Sequence, residues 1–214
     1  VEVIYNGVDL DLFHPHVDGS SIRESLKVSR GVPLFGMVAN FAGKKSHDIF
    51  FAAARVVLKD VPEATFLLVG AGDYTPYQNQ LTAQGYGKNF IFTGFRNDIP
   101  QIIAALDFSV ISSKKGEGLT GSIVEAMAMA KPVICTAVAG NPELIKDKET
   151  GLLVPPGSAE MLARAMLYVL RNRGEAEKMG GNAFGFVKDK VDNRKRSKHF
   201  EALYRSILRR KGVC

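Results

Sequence analysis

Between Ser112 and Pro132 the chain leaves a short apolar run, passes three glycines (Gly116, Gly118, Gly121) and enters an amphipathic stretch, with seven residues between Glu117 and Glu125 along the way. Glycines at a strand-to-helix junction let backbone N–H groups approach a ligand closely. The first helical turn adds N–H groups without intrahelical partners and the positive end of the helix dipole. Together they make a site for phosphate. Two acids beside phosphate would repel it unless each faces something else, and sugar or ribose hydroxyls are donors that a carboxylate accepts. Glu125 has an equally good local reading, because Ser122-Ile123-Val124-Glu125 also fits a capping box with Glu125 at the third helical position. Glu117 also reads as a solvated loop acid.

Other candidates are weaker. Lys44 and Lys45 can meet an anion or stand as a solvated pair. Gly70-Ala71-Gly72-Asp73 resembles part of a dinucleotide fingerprint, but it follows the second strand-like run and lacks the third glycine. Asp73 therefore suits a turn or cap. His47 reads as a helix-start residue. His14, His16, His47 and His199 lack metal-ligand spacing, so no metal is expected.

The elements that must position these residues alternate. Pro33–Phe41, Ala64–Gly70, Asn89–Thr93, Phe108–Ser112, Pro132–Thr136 and Gly151–Val154 read as strands. Ser46–Lys59, Tyr74–Gln84, Ile99–Ala105 and Gly121–Met129 read as helices. That alternation predicts an α/β fold, a doubly wound parallel sheet of Rossmann-like type. Ligands of such sheets lie beyond the carboxyl ends of the strands. The loops after Asn40, Gly70, Thr93 and Ser112 are the expected functional edge. After Ser158 the chain turns helical. One stripe (Met161, Leu162, Ala165, Met166, Val169) and another (Phe200, Leu203, Tyr204, Ile207, Leu208) are expected to pack on the sheet.

The 214 residues fit one large domain, read as residues 1–214, with enough chain to bury a core unaided. Two cysteines, Cys135 and Cys214, argue against a disulfide framework and suit a reducing compartment. No run of about 18 apolar residues is present to span a membrane. Of the net charge of +6, residues 188–211 carry ten Lys or Arg against three acids. Such a basic tail can face an anionic membrane surface, meet an acidic partner, or form a solvated helix face. The chain opens on Val1 inside a segment that reads as structured, as expected of a piece of a longer protein.

Read jointly, several segments resemble family 4 glycosyltransferases, in the C-terminal domain of their GT-B fold. Ile4-Tyr5-Asn6-Gly7-Val8-Asp9 and Phe13-His14-Pro15 resemble the entry to that domain. Lys45-Ser46-His47-Asp48 resembles its Lys-Gly-His-Asp turn. Phe66 to Gly72 resembles the second strand and glycine turn, and Thr93 to Ile99 the loop near the base. Glu117-Gly118-Leu119, Glu125-Ala126-Met127-Ala128 and Lys131-Pro132-Val133 resemble the two-glutamate motif. Gly140-Asn141-Pro142-Glu143 and Gly151 to Val154 resemble the family's segments C-terminal to that motif. The order and spacing of these segments carry the resemblance, which covers nearly the whole chain.

The resemblance implies a nucleotide-sugar donor, UDP- or GDP-linked, and transfer with retention to a glycan or lipid-linked acceptor held by an N-terminal domain absent from this chain. Glu125 would hold the ribose hydroxyls and Glu117 would lie near the donor sugar. Lys45 would contact the diphosphate, and the backbone at Gly118, Leu119, Thr120 and Gly121 would face diphosphate and sugar. Gly94, Phe95 and Arg96 would flank the base. The resemblance further implies a cytoplasmic enzyme of polysaccharide or glycolipid assembly, peripheral at the inner membrane face if the tail engages lipid, with no cofactor, metal or nucleic-acid partner. The family usually places an Arg in the loop after the first strand, where this chain has Asn40 and Ala42. Ser46 replaces the usual Gly. Lys44, Lys114 or Lys115 can substitute only as point charges. The missing Arg and missing half keep two alternatives open: a sugar-nucleotide-binding module without catalysis, and an epimerase of the same architecture.

Overall fold

The computed structural model describes residues 4–115 and 118–210. Six strands form the centre: β1 (Leu34–Val38), β2 (Thr65–Val69), β3 (Phe90–Gly94), β4 (Phe108–Ile111), β5 (Val133–Thr136) and β6 (Leu152–Val154). All pair in parallel, in the order β3-β2-β1-β4-β5-β6. The order reverses between β1 and β4, and a crevice opens at that switch point in such sheets. The expected doubly wound α/β fold is therefore present.

The helices are α1 (Ser20–Ser25), α2 (His47–Asp60), α3 (Thr75–Ala83), α4 (Ile99–Ala105), α5 (Gly121–Ala128), α6 (Asn141–Leu144), α7 (Ala159–Arg171), α8 (Arg173–Lys190) and α9 (Asn193–Arg210), and both faces of the sheet are covered. The strands are apolar on both sides because both sides are buried. On one face Phe35, Met37, Phe66 and Leu68 meet Phe50 and Val57 of α2 and Leu162 and Met166 of α7. On the other, Leu34, Leu67 and Val69 meet Ile102 of α4 and Ile22 of α1, while Ile111, Val133 and Cys135 meet Ile123 and Met127 of α5 and Ala183 and Val187 of α8. Lys131, part of the two-glutamate segment, is structural. Its Nζ donates to the carbonyls of Ala104 and Leu106 at 2.7 and 2.8 Å, at the end of α4.

α8 shows no clean apolar stripe in the sequence because small residues carry its packing. A Cβ on Gly180 would stand 2.1 Å from the Ala130 carbonyl oxygen, so only glycine permits that approach. The expected packing of the two C-terminal stripes holds for α7 and fails for α9. α9 has no buried residue, and Tyr204 is 62% exposed beside exposed Ile207 and Leu208. Its root is fixed by Val8, which bridges to Asp192, but no described element covers its apolar stripe. Met161 also departs from expectation, being exposed. Among the described residues, no helix is long and apolar enough to cross a membrane.

Candidate functional site

A cleft of about 420 Å³ opens at the carboxyl edge of β1 and β2. Its floor is Val38, Val69 and Ile99. One wall is the loop after β1, which brings in Asn40, Ala42, Lys44 and Lys45. The opposite wall is Thr120, Gly121 and Ser122 at the start of α5, with Phe95 and Arg96 at the rim. No acidic side chain among the described residues lines this cleft.

The β1 loop is shaped by its backbone. Asn40 Oδ1 accepts the Ala71 N–H at 2.9 Å, and the Phe41 N–H donates to the Ala71 carbonyl at 2.7 Å. The loop then makes a 3-10 turn over Gly43–Lys45 and reaches Ser46 at φ 51°, ψ 53° before α2 begins. That left-handed conformation costs an L-residue and suits glycine, which accounts for glycine as the family's usual residue there. The Ser46 hydroxyl is buried without a hydrogen-bond partner.

The β4 loop is stitched to the same turn. The Ser112 hydroxyl lies 3.0 Å from the carbonyls of both Lys45 and Ser46, and the Lys114 N–H donates to the Lys44 carbonyl at 3.0 Å. The Thr136 hydroxyl donates to the Ser113 carbonyl at 2.5 Å. Sequence reading missed these serines and threonines, because each partner lies across the sheet and no local pattern marks the pairing.

The capping-box reading of Glu125 does not hold. Thr120, in an extended conformation, is the N-cap of α5, so Ser122 is the second helical residue and Glu125 the fifth. Thr120 does not cap with its side chain; its hydroxyl donates to Asn141 Oδ1 at 2.8 Å. The first N–H groups of α5, on Gly121 and Ser122, have no intrahelical acceptor and belong to residues that line the cleft. Lys44, Lys45 and the start of α5 thus line one space, and cationic side chains and a helix N-terminus both favour negative charge.

Glu125 lines a second cleft, of about 380 Å³, which shares Gly121 with the first and is completed by Leu119, Asn6, Asp9 and Asn193. Burial pushes its carboxyl up from the ordinary glutamate range, and no cation is among the causes of the shift. A half-buried carboxylate of this kind is best met by hydroxyl donors.

At the rim, Phe95 is 69% exposed. Arg96 is clamped by both carboxylate oxygens of Asp98, which raises the guanidinium's pKa and lowers that of Asp98. Gly94 ends β3 at φ 68° and accepts the Gly70 N–H at 2.9 Å; it holds the loop and does not line the cleft. Gly118 is exposed. Glu117, the second acid of the sequence motif, lies outside the described residues.

His47 is buried and stacks on Phe41 with ring centroids 4.3 Å apart. Burial takes its pKa down to about 4, so it is neutral at physiological pH. Among the described residues, no three His, Cys, Asp or Glu side chains gather as metal ligands.

Residues 32–172 match the family described as Glycosyl transferases group 1. Over 174 residues the chain is 30% identical to UDP-Gal:alpha-D-GlcNAc-diphosphoundecaprenol alpha-1,3-galactosyltransferase of Escherichia coli, covering 79% of this chain and 45% of that protein. The chain spans about half the length of the curated relatives it matches. Among solved structures it superposes on Anabaena Alr3699/HepE in complex with UDP and glucose, with a TM-score of 0.88 at 27% identity over 96% of this chain and 56% of that one. It also superposes on the C-terminal domain of a glycosyl transferase group 1 family protein (LpcC) from Francisella tularensis. There the TM-score is 0.77 at 29% identity, over 87% of this chain and all of that one.

Proposed function

The chain belongs to the group 1 glycosyl transferases, and we propose that it is the donor-binding half of a retaining enzyme that moves a sugar from a UDP- or GDP-sugar to a glycan or lipid-linked acceptor. The observation that carries this reading is the cleft between Lys44 and Lys45 on one side and the start of α5 on the other, which no acid among the described residues lines. The diphosphate sits there, the base lies toward Phe95 and Ile99, and the ribose hydroxyls reach Glu125 through the space shared at Gly121. HepE binds UDP and glucose on a fold that this chain matches along nearly its whole length.

Breaking the sugar–phosphate bond builds positive charge on the sugar ring, as in glycoside cleavage, and negative charge on the departing diphosphate. Amides fixed at Gly121 and Ser122, with Lys45 opposite, stabilise that charge without reorganising as it forms. Glu117 belongs beside the donor sugar in this scheme. The acceptor and any further proton-transfer group come from a second, N-terminal half that closes over the cleft, with the exposed apolar residues of α9 (Tyr204, Ile207, Leu208) as its contact surface.

A second reading is favoured by one observation. At the position of the family's usual Arg stand Asn40, whose side-chain oxygen is already engaged by Ala71, and Ala42. A chain that binds sugar nucleotide without turning it over fits that loss of a guanidinium. Calorimetric titration of UDP, GDP and ADP into the chain tests the shared binding claim. Nucleotide release by the full-length protein, across donors and acceptors, separates the two: binding without turnover anywhere removes the enzyme reading.

A further inference from the structure

We infer that Asn141 is a positioning residue for the anion site, holding the start of α5 open toward the diphosphate through Thr120. The inference rests on the donor-site reading above and adds a residue that does not itself touch the ligand.

A threonine at an N-cap ordinarily accepts an N–H of its own helix through the side-chain oxygen. Thr120 is 3% exposed, and its hydroxyl instead donates to Asn141 Oδ1 at 2.8 Å. Asn141 is fully buried at the start of α6, and its Nδ2 donates to the Thr136 carbonyl at 3.0 Å. These partners fix which way the amide points. Flipped, its oxygen would face the Thr136 carbonyl, acceptor against acceptor. With the oxygen toward Thr120, the threonine must be the donor, so its proton is turned away from the cleft it lines.

The consequence reaches both walls. Through Thr136, whose hydroxyl donates to the Ser113 carbonyl, the same amide is tied to the β4 loop. That loop holds the lysine turn by Ser112 to Lys45 and Ser46 and by Lys114 to Lys44. Asn141 thus sets the α5 amides in register with the lysines opposite, and fully buried polar groups of this kind hold a single arrangement.

The test compares Asn141→Leu, Thr120→Val and Thr120→Ser with the parent chain. Each is titrated by NMR with UDP, GDP and ADP, and with uridine, guanosine and adenosine as phosphate-free probes. Asn141→Leu and Thr120→Val are expected to weaken the best-bound diphosphate by about tenfold while nucleoside binding stays within about twofold, the effect of one unmade buried hydrogen bond on the phosphate half alone. Thr120→Ser keeps the donor and is expected to restore parental affinity. If the parent chain binds diphosphate and both hydroxyl-network variants match it at temperatures well below their melts, Asn141 is merely structural and the inference is wrong. Equal losses for nucleoside and diphosphate also overturn it. If the parent chain binds none of the three diphosphates, the donor-site reading fails, and this role fails with it.

Discussion

Asn40 Oδ1 accepts the Ala71 N–H at 2.9 Å, so the side chain nearest the family's usual arginine position braces the β1 loop against the β2 loop. That brace ties the two loops of the carboxyl edge together, and the cationic side chains that line the cleft are Lys44 and Lys45, with Arg96 at the rim paired to Asp98.

Ala42 lines the same wall and is exposed. Ala42→Arg restores a guanidinium there without disturbing the Asn40 brace. It is expected to tighten nucleoside diphosphate binding by about two- to fivefold at low salt, the range for a solvent-exposed charge pair. Calorimetry across a salt series checks it: the gain should shrink as salt rises.

Glu125 is half-buried, and its desolvation raises its carboxyl pKa. A raised acid pKa means the folded state favours the protonated form, so this contribution to stability is present below the unfolded value of 4.5 and is lost as pH rises through the folded value. Glu125→Gln is therefore expected to leave the melting temperature at pH 7 unchanged or higher by a few degrees. Nucleotide affinity is expected to fall about tenfold, through loss of charge-assisted hydrogen bonds to hydroxyls. A drop in melting temperature with intact binding would make Glu125 a structural residue.

Ser46 sits at φ 51° with a buried hydroxyl that has no hydrogen-bond partner. Ser46→Gly removes both penalties and loses some stability through the more flexible unfolded chain. The net expectation is stabilisation by about 1 kcal/mol in denaturant unfolding, because left-handed backbone costs an L-residue roughly 1–2 kcal/mol. Lys45 directly precedes this turn, so binding is expected to be equal or slightly tighter.

His47 stacks on Phe41 near Phe51 and Tyr77, with the Ala39 backbone and the opposed charges of Asp48 and Lys45 nearby. Its folded pKa of about 4 lies below the ordinary histidine value of 6.5. The neutral ring's contribution is thus fully present above pH 6.5 and is lost as pH falls toward 4, on the order of 3 kcal/mol in all. Unfolding free energy measured from about pH 7.5 to 4.5 should fall in that window, and His47→Phe should flatten the fall.

The strand and helix alternation was legible along the chain because a strand buried on both faces must be apolar throughout, and an amphipathic helix must repeat its apolar residues. Phe66 to Val69 and Ile99 to Ala105 could hardly read otherwise. The glycine-rich entry to α5 was also visible, since glycines ahead of a helix have a local physical meaning. Sequence left Glu125 balanced between a capping box and a ligand contact, because the two differ only in where α5 begins, and that start is fixed by Thr120 bonding to Asn141 across the fold. It equally hid that α9 leaves its apolar stripe uncovered, since a stripe has the same periodicity whether or not anything packs on it. Short-range patterns determine which elements form; which buried hydroxyl finds which carbonyl, and which apolar face finds a partner, is decided only when distant segments meet.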